Sequence, residues 1–391
     1  MKQNIKLING TAYIDNRFVK TDIYIEKGYF TDKQNLADKD YSVIDASGFC
    51  ITPGFIDCHI HGAFGADTSD NNKDGIVTMA RRLPEFGVTA FCPTTMALHE
   101  SDIVEVFDSV QIAKDELKDS DFSHSDILGI HLEGPLLNKA KSAAQDETTF
   151  LDLIEGKRLI ERIDSKYPGL IKIISFAPEL AGMDEFIKAF SDKFSLSLAH
   201  TDCDYDTASL AIKSGANSVT HLLNAMREMS KRSPNIPAAA MDKDAFVELI
   251  CDGKHIEAPM LRMLFRVYDE NRIVIVSDSM RGAGMVDGEY VLGTTKVLVK
   301  NNRTYFGPEG NLAGSVSNLS EEYKVLIDAG IDKVKVIKAL TVNPLFRMKI
   351  CPDEVKLGEI KPGYKGSLNV FNEESILVMS IIDGVIAYKN M

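Results

Sequence analysis

The sequence predicts an α/β protein built on a (β/α)8 TIM-type barrel, with a small β-domain assembled from the two chain ends. Three observations carry that expectation. Between about residues 53 and 345, eight apolar runs alternate with helix-like stretches such as "GIVTMARRLPEFG", "SDIVEVFDSVQIAKDELKD", "DYDTASLAIKSG" and "EEYKVLIDAG". Nearly every run ends on a residue able to do chemistry, as expected where the C-terminal strand ends of such a barrel form its functional face. Outside this region the pattern is different. Residues 1 to about 50 read as short strands and turns ("IKLINGTAYI", "DIYIEKGYF", "SVIDASGFCITPG"), and the same style returns after about 355, ending in "ILVMSIIDGVIAYKN" with its Asp383-Gly384 turn signal. The division expected is therefore 1–52 and 351–391 as two parts of one β-domain, with 53–350 as the barrel between them.

In chain order the runs are "GFIDCHIH", "GVTAFCPTT", "ILGIHLEG", "IKIISFAPE", "FSLSLAHT", "SVTHLLNA", "AFVELICDG" and "RIVIVSDSM". They are continuously apolar rather than alternating, the pattern of parallel strands covered on both faces. The reactive residues that end them are His59 and His61, Glu133, Glu179, His200, His221, Asp252 with His255, and Asp278. A doubly wound open sheet is the competing architecture, but no G-x-G-x-x-G follows the first strand.

With 391 residues, 45% hydrophobic and 26% charged, the chain reads as a soluble globular protein. No apolar run approaches the roughly 20 residues that span a bilayer, so no membrane partner is expected. The N-terminus lacks a long apolar segment and a cleavage site, which points to the cytoplasm rather than export. Six cysteines (Cys50, Cys58, Cys92, Cys203, Cys251, Cys351) without a C-x-x-C pair argue against a disulfide framework or a thiolate zinc site. A net charge of −13 disfavours nucleic acid and anionic membrane. An anionic small molecule remains open if a few cations are placed locally.

Side chains two apart on a strand face the same way, so His59 and His61 can converge on one ion. Taken alone they are explained equally well as barrel-floor histidines satisfied by backbone groups. Glu133, His200 and His221 end three later runs and supply carboxylate and imidazole ligands suited to zinc or iron(II), which weakens that alternative. His99 and His131 read as satisfied core histidines; His131, two residues before Glu133, could also hold the ligand shell. His124, in "DSDFSHSD", reads as solvated. Asp278 could cap a following helix. Beside an ion, however, its carboxylate could take the proton of an attacking water and deliver it to a leaving amine. Together these residues describe metal-assisted hydrolysis of an amide or a related carbon–nitrogen bond.

The ordered succession "PGFIDCHIHG", "HLEGPLLN", "AHTDCDYDTA", "THLLNAM", "RSPNIP", "CDGKHI", "VSDSMRGAGMVDGEY", "GNLAGS" and "NP" resembles the amidohydrolase superfamily, and within it the N-acetylglucosamine-6-phosphate deacetylase family. The resemblance implies a barrel flanked by a β-sandwich from both chain ends. It also implies hydrolysis of N-acetyl-D-glucosamine 6-phosphate to D-glucosamine 6-phosphate and acetate, in amino-sugar catabolism and cell-wall recycling. By the same resemblance Glu133, His200 and His221 bind the principal ion, zinc before iron(II). His59 and His61 bind a second ion with Glu133 bridging, giving one or two ions per subunit, and Asp278 is the acid/base. Asn224 and Ala225 contact the sugar phosphate. Arg232 and His255 grip the phosphate, with Arg232 reaching into the neighbouring subunit of a homodimer. Leu312, Ala313 and Gly314 form the loop over the acetyl-bearing end.

By itself Arg232 reads as an exposed arginine beside Arg227 and Lys231. One departure from the family pattern is "KSAAQDE", with Ala143, Ala144 and Gln145 where the family often has Lys-Gly-Ala-His. A Gln there can donate to a substrate oxygen but carries no charge, which bears on the sugar epimer and the acyl contact. The alternatives are an N-acetylgalactosamine-6-phosphate deacetylase and a non-catalytic binding module on the same fold. Cyclic-amide hydrolases of the superfamily fit less well, because they usually bridge two metals with a carboxylated lysine, whereas here the carboxylate of Glu133 is at hand.

Overall fold

A computed structural model describes residues 3–32, 37, 40–308 and 310–390. Each of the eight apolar runs forms a strand: β1 (Phe55–Ile60), β2 (Val88–Pro93), β3 (Ile130–Glu133), β4 (Ile171–Phe176), β5 (Ser195–Leu198), β6 (Ser218–Val219), β7 (Phe246–Leu249) and β8 (Ile273–Ile275). All pairings among them are parallel, β1 with β2 and then β3 through β8 in chain order. Between β2 and β3 the contact narrows to a bridge of Thr94 with His131. β8 reaches back to β1 through Asp278 N donating to His59 O at 3.0 Å and His61 N donating to Ser279 O at 2.9 Å. Every residue of β1, β2, β3, β5 and β7 is buried, which is why those runs show no polar alternation.

Helices follow the strands, with starts written locally. Asn72, Asp204 and Asn318 cap the helices Lys73–Arg82, Tyr205–Lys213 and Leu319–Asp328 with their side chains. Asp152 and Glu155 form a reciprocal capping box on Leu153–Lys166. No helix among the described residues is long and apolar enough to cross a membrane.

Both ends of the chain meet in one six-stranded sheet, ordered Val385–Lys389, Leu377–Ile382, Leu368–Phe371, Cys50–Pro53, Thr11–Ile14, Arg17–Lys20. A four-stranded sheet from residues 5–45 lies with it, and the two enclose a core of Ile5, Leu7, Ile25, Ile51, Val370, Met379 and Ile381.

Three details depart from the sequence expectation. The β/α alternation is interrupted after β8 by an antiparallel sheet, Gly288–Leu292, Thr295–Lys300 and Arg303–Tyr305, which buries only one face, through Val297 and Val299. Thr295 Oγ1 donates to Ala144 O at 2.8 Å, so its first turn leans on the "KSAAQDE" loop. His99 is not a core residue: it is exposed at the head of the helix Glu100–Lys118, where the chain has already left the strand end. His124 is not simply solvated. It is half-buried, with its ring nitrogens 3.2 Å from Ser125 O and 3.0 Å from Leu117 O, beside the end of that helix.

One buried acid makes stability depend on pH. Glu322 is fully buried, takes the Cys251 N–H on Oε2 at 3.0 Å and leaves Oε1 without a partner among the described residues. Burial, reinforced by the Asp252 charge, pushes its carboxyl well above the ordinary value of 4.5. Because the folded value lies above the unfolded one, the stability contribution is complete below about pH 4.5 and is lost as pH rises through the folded value. Glu322→Gln keeps the acceptor and removes the proton. Its unfolding free energy should therefore exceed the native one by a margin that grows with pH over this window, by up to about 1.4 kcal/mol per pH unit, and its melting temperature should pull away from the native one in step. Thermal scans from pH 5 to 9 showing a constant margin would refute this.

Candidate active site

Three of the strand-end residues sit on left-handed backbone: His200 at φ 44°, His221 at φ 31° and Asp278 at φ 46°. For non-glycine residues that conformation costs on the order of 1–3 kcal/mol and persists only where the surroundings impose it. Here the constraint is visible, since Asn138 N donates to His200 O at 3.0 Å and Ser315 N donates to Asp278 O at 2.7 Å. The sharp turns aim the side chains back over the strand ends.

They meet on Glu133. Its Oε1 lies 3.1 Å from His221 Nε2, 3.5 Å from His200 Nε2 and 3.6 Å from His59 Nε2, while Oε2 lies 3.4 Å from His61 Nε2. The two imidazole pairs are as close: His59 Nε2 to His61 Nε2 is 3.3 Å, and His200 Nε2 to His221 Nε2 is 3.2 Å. Asp278 Oδ1 stands 3.2 Å from His61 Nε2 and 3.5 Å from His59 Nε2. Asp278 caps no helix.

The donor set fits a divalent metal. A tetrahedron with ligands about 2.0–2.1 Å from its centre has edges of about 3.3–3.4 Å, close to the separations within Glu133, His200, His221 and within His59, His61, Glu133. Tautomers are set for ligation too. His61 Nδ1 donates to Thr94 O at 3.2 Å, His200 Nδ1 to Lys141 O at 2.9 Å and His59 Nδ1 to Glu248 Oε2 at 2.9 Å, leaving each Nε2 lone pair facing the cluster. Burial opposes ionisation of Glu133 and Asp278, but the facing His59 and the other imidazoles hydrogen-bonded to them outweigh it and hold both carboxyls below their ordinary range. His131 joins no ligand set around Glu133. Its Nε2 lies 2.7 Å from Ser175 Oγ and its Nδ1 3.2 Å from Cys58 O, with burial pushing it well below the usual imidazole range.

Above the cluster opens a cavity of about 330 Å³. His61, Glu133, His200, His221 and Asp278 line its floor; Ala144, Gln145, Asn224, Ala225, His255, Leu312, Ala313 and Gly314 line its walls. Gly314 has φ 56°, and a Cβ there would stand 3.3 Å from Asp278 O. His255 is held by Asp252, with Nδ1 to Oδ2 at 2.9 Å. Arg232 is exposed and lies outside this lining. Glu179, at another strand end, accepts from Asn138 Nδ2 at 2.6 Å, Thr201 Oγ1 at 2.5 Å and Asp202 N at 2.7 Å, bracing the loops around His200.

Gln145 is pinned from both sides. Ala97 N–H donates to its Oε1 at 2.7 Å, which forces its amide nitrogen toward Glu133 Oε2 at 2.8 Å. Gln145→Ala should release that carboxylate oxygen and lower kcat/KM roughly 10–100-fold; steady-state kinetics matching the native protein would exclude the clamp. Sequence reasoning missed Glu248, whose carboxylate reaches both His59 and the His221 backbone N–H.

A family model described as the amidohydrolase family matches residues 50–387. An N-acetylglucosamine-6-phosphate deacetylase of Bacillus subtilis (strain 168) is 35% identical over 273 residues, covering 69% of this chain and 68% of the relative. One of Lysinibacillus sphaericus is 27% identical over 98% of this chain and 96% of its own. The crystal structure of N-acetylglucosamine-6-phosphate deacetylase from Thermotoga maritima matches with a TM-score of 0.85 at 27% identity, covering 99% of this chain and all of that one. The chain belongs to the amidohydrolase family, and within it groups with the N-acetylglucosamine-6-phosphate deacetylases.

Proposed function

We propose that the protein hydrolyses the acetamide of N-acetyl-D-glucosamine 6-phosphate, releasing acetate and D-glucosamine 6-phosphate. The observation that carries this reading is the convergence of Glu133, His61, His200, His221 and Asp278 on the floor of one cavity, with His59 buried against them and His255 in the cavity wall. Glu133, His200 and His221 would hold the principal ion, zinc before iron(II), and His59, His61 and Glu133 would hold a second. Such an ion acidifies water towards neutrality and polarises a carbonyl.

The chain's own groups do the rest. Asp278 accepts the proton of the attacking water and returns it to the sugar nitrogen as the carbon–nitrogen bond breaks, so the amine leaves neutral. His255, anchored through Nδ1, keeps Nε2 for a phosphate oxygen, and Asn224 and Ala225 line the same wall. Leu312, Ala313 and Gly314 cover the acetyl end beside Ala144 and Gln145.

The eight strands close as a (β/α)8 barrel over residues 53–350, and residues 1–52 and 351–391 form a β-sandwich beside it. The working protein is a cytoplasmic homodimer in which Arg232 serves the neighbouring cavity. Exposed Met229, Met241, Met260 and Met263 beside the Arg232 loop give an apolar face for that contact. Arg232→Ala should raise KM for the phosphorylated sugar roughly 10–100-fold with little change in kcat. Unaltered KM would remove Arg232 from the phosphate grip.

The test is acetate release from N-acetylglucosamine 6-phosphate, its galacto epimer and unphosphorylated N-acetylglucosamine by protein loaded with zinc or iron(II). Clear preference for the phosphorylated gluco sugar is expected. Preference for the galacto epimer would reassign the substrate, and no acetate from any of them would overturn the reading.

A further inference from the structure

Beneath the cluster lies an ion pair that the proposed reaction does not use. Glu248 on β7 and Arg347, at the end of the helix Val342–Arg347, are both wholly buried, with Nη2 and Oε1 2.5 Å apart. Arg347 also donates to Ser197 Oγ at 3.3 Å. Taking two charges out of water costs several kcal/mol per ion, and buried pairs are often replaced by apolar side chains without loss of stability. Stability therefore gives no sufficient reason for the pair.

The other oxygen of Glu248 supplies one. Oε2 accepts His59 Nδ1–H at 2.9 Å and the His221 backbone N–H at 3.1 Å, touching one residue from each half of the cluster. His61 and His200 are oriented instead by backbone carbonyls, Thr94 O and Lys141 O, that no substitution removes. Among these three, only His59 depends on another side chain for its orientation.

We infer that Glu248, charge-balanced by Arg347, is a positioning residue for the His59 half of the centre. It fixes the His59 ring with Nε2 towards Glu133 and Asp278, ties that ring to the backbone of His221, and so sets whether the His59/His61 half takes an ion of its own. This rests on the two-ion reading proposed above.

The test compares two double variants of the whole protein, Glu248→Gln/Arg347→Met and Glu248→Leu/Arg347→Met. Neither leaves a lone buried charge, and they differ chiefly in whether His59 Nδ1–H finds an acceptor. Zinc content and affinity are read by equilibrium dialysis and metal analysis, beside the native protein. The Gln variant should bind two ions per chain, its weaker one within roughly threefold of native, while the Leu variant binds the weaker ion roughly 10–100-fold less tightly and keeps the tighter one. Glu248→Met/Arg347→Met, with flexible side chains to fill the space, should lose the same ion and serves if the Leu variant does not fold. Acceptor-free variants that bind both ions as tightly as the Gln variant overturn the positioning role and leave the two-ion reading standing. A native protein that takes up one ion only overturns the two-ion reading itself.

Discussion

Replacing Asp278 with Asn should lower kcat roughly 10²–10⁴-fold while the protein keeps its fold and its metal. The carboxylate stands 3.2 Å from His61 Nε2 at the cavity floor, close enough to share a water with the cluster, and it is held ionised at neutral pH. An amide of the same size keeps the contacts and cannot take a proton. The attacking water then has no base, and the departing amine no acid. The fall should be in kcat more than in KM, because the role proposed for Asp278 is on the reacting atoms rather than on the phosphate. Acetate release by metal-loaded variant, with metal content measured on the same sample, decides it. Native turnover would remove Asp278 from the proton transfers. Lost turnover with lost metal would make it a ligand instead.

Glu133→Gln should act one step earlier. Among the described residues the Glu133 carboxylate is the one anionic group within 3.1–3.6 Å of all four imidazole Nε2 atoms, and its second oxygen already accepts the Gln145 amide. A Gln at 133 has a single oxygen. It can face Gln145 or the histidines but not both, and its nitrogen then meets a second donor or an imidazole lone pair where an anion had been. Bound metal should fall to trace after dialysis and kcat by roughly 10³-fold or more, about 4 kcal/mol, the scale of a lost Lewis acid. Stoichiometric metal with unchanged turnover would refute the assignment. Far-ultraviolet circular dichroism should match the native protein, since the strand around residue 133 makes its pairings through the backbone.

The strands and the cluster were legible because a reactive residue at the end of an apolar run stands out against its neighbours. His59, Glu133, His200, His221 and Asp278 all break runs of buried side chains. Glu248 sits inside such a run, and its partner Arg347 arrives from the far side of β8, in a helix with no sequence pattern of its own to announce a buried cation. Pairings of that range leave no local signal. The sheet of residues 288–305 was missed for another reason. It lies between β8 and the helix Leu319–Asp328, inside the stretch read as continuing the β/α alternation, and its antiparallel pairing and its packing on the "KSAAQDE" loop are what separate it from that pattern. The exposure of His99 and the half-buried setting of His124 depend on where helix ends fall, which composition does not determine. Gln145 was legible as a departure from the family pattern, whereas its role as a clamp needed the Ala97 N–H to reveal which way the amide faces.

The sheet that joins the chain ends has a consequence for how the protein is made. Strand Cys50–Pro53 leads directly into β1, yet its antiparallel neighbour Leu368–Phe371 is synthesised several hundred residues later. At about 5–20 residues per second, the edge that precedes His59 stays unpaired for on the order of tens of seconds on a translating ribosome. An open strand edge of that kind can pair with other nascent chains. Translation products that stop short of residue 368 should therefore aggregate through the strand Cys50–Pro53, while chains that include Leu368–Phe371 close that edge themselves.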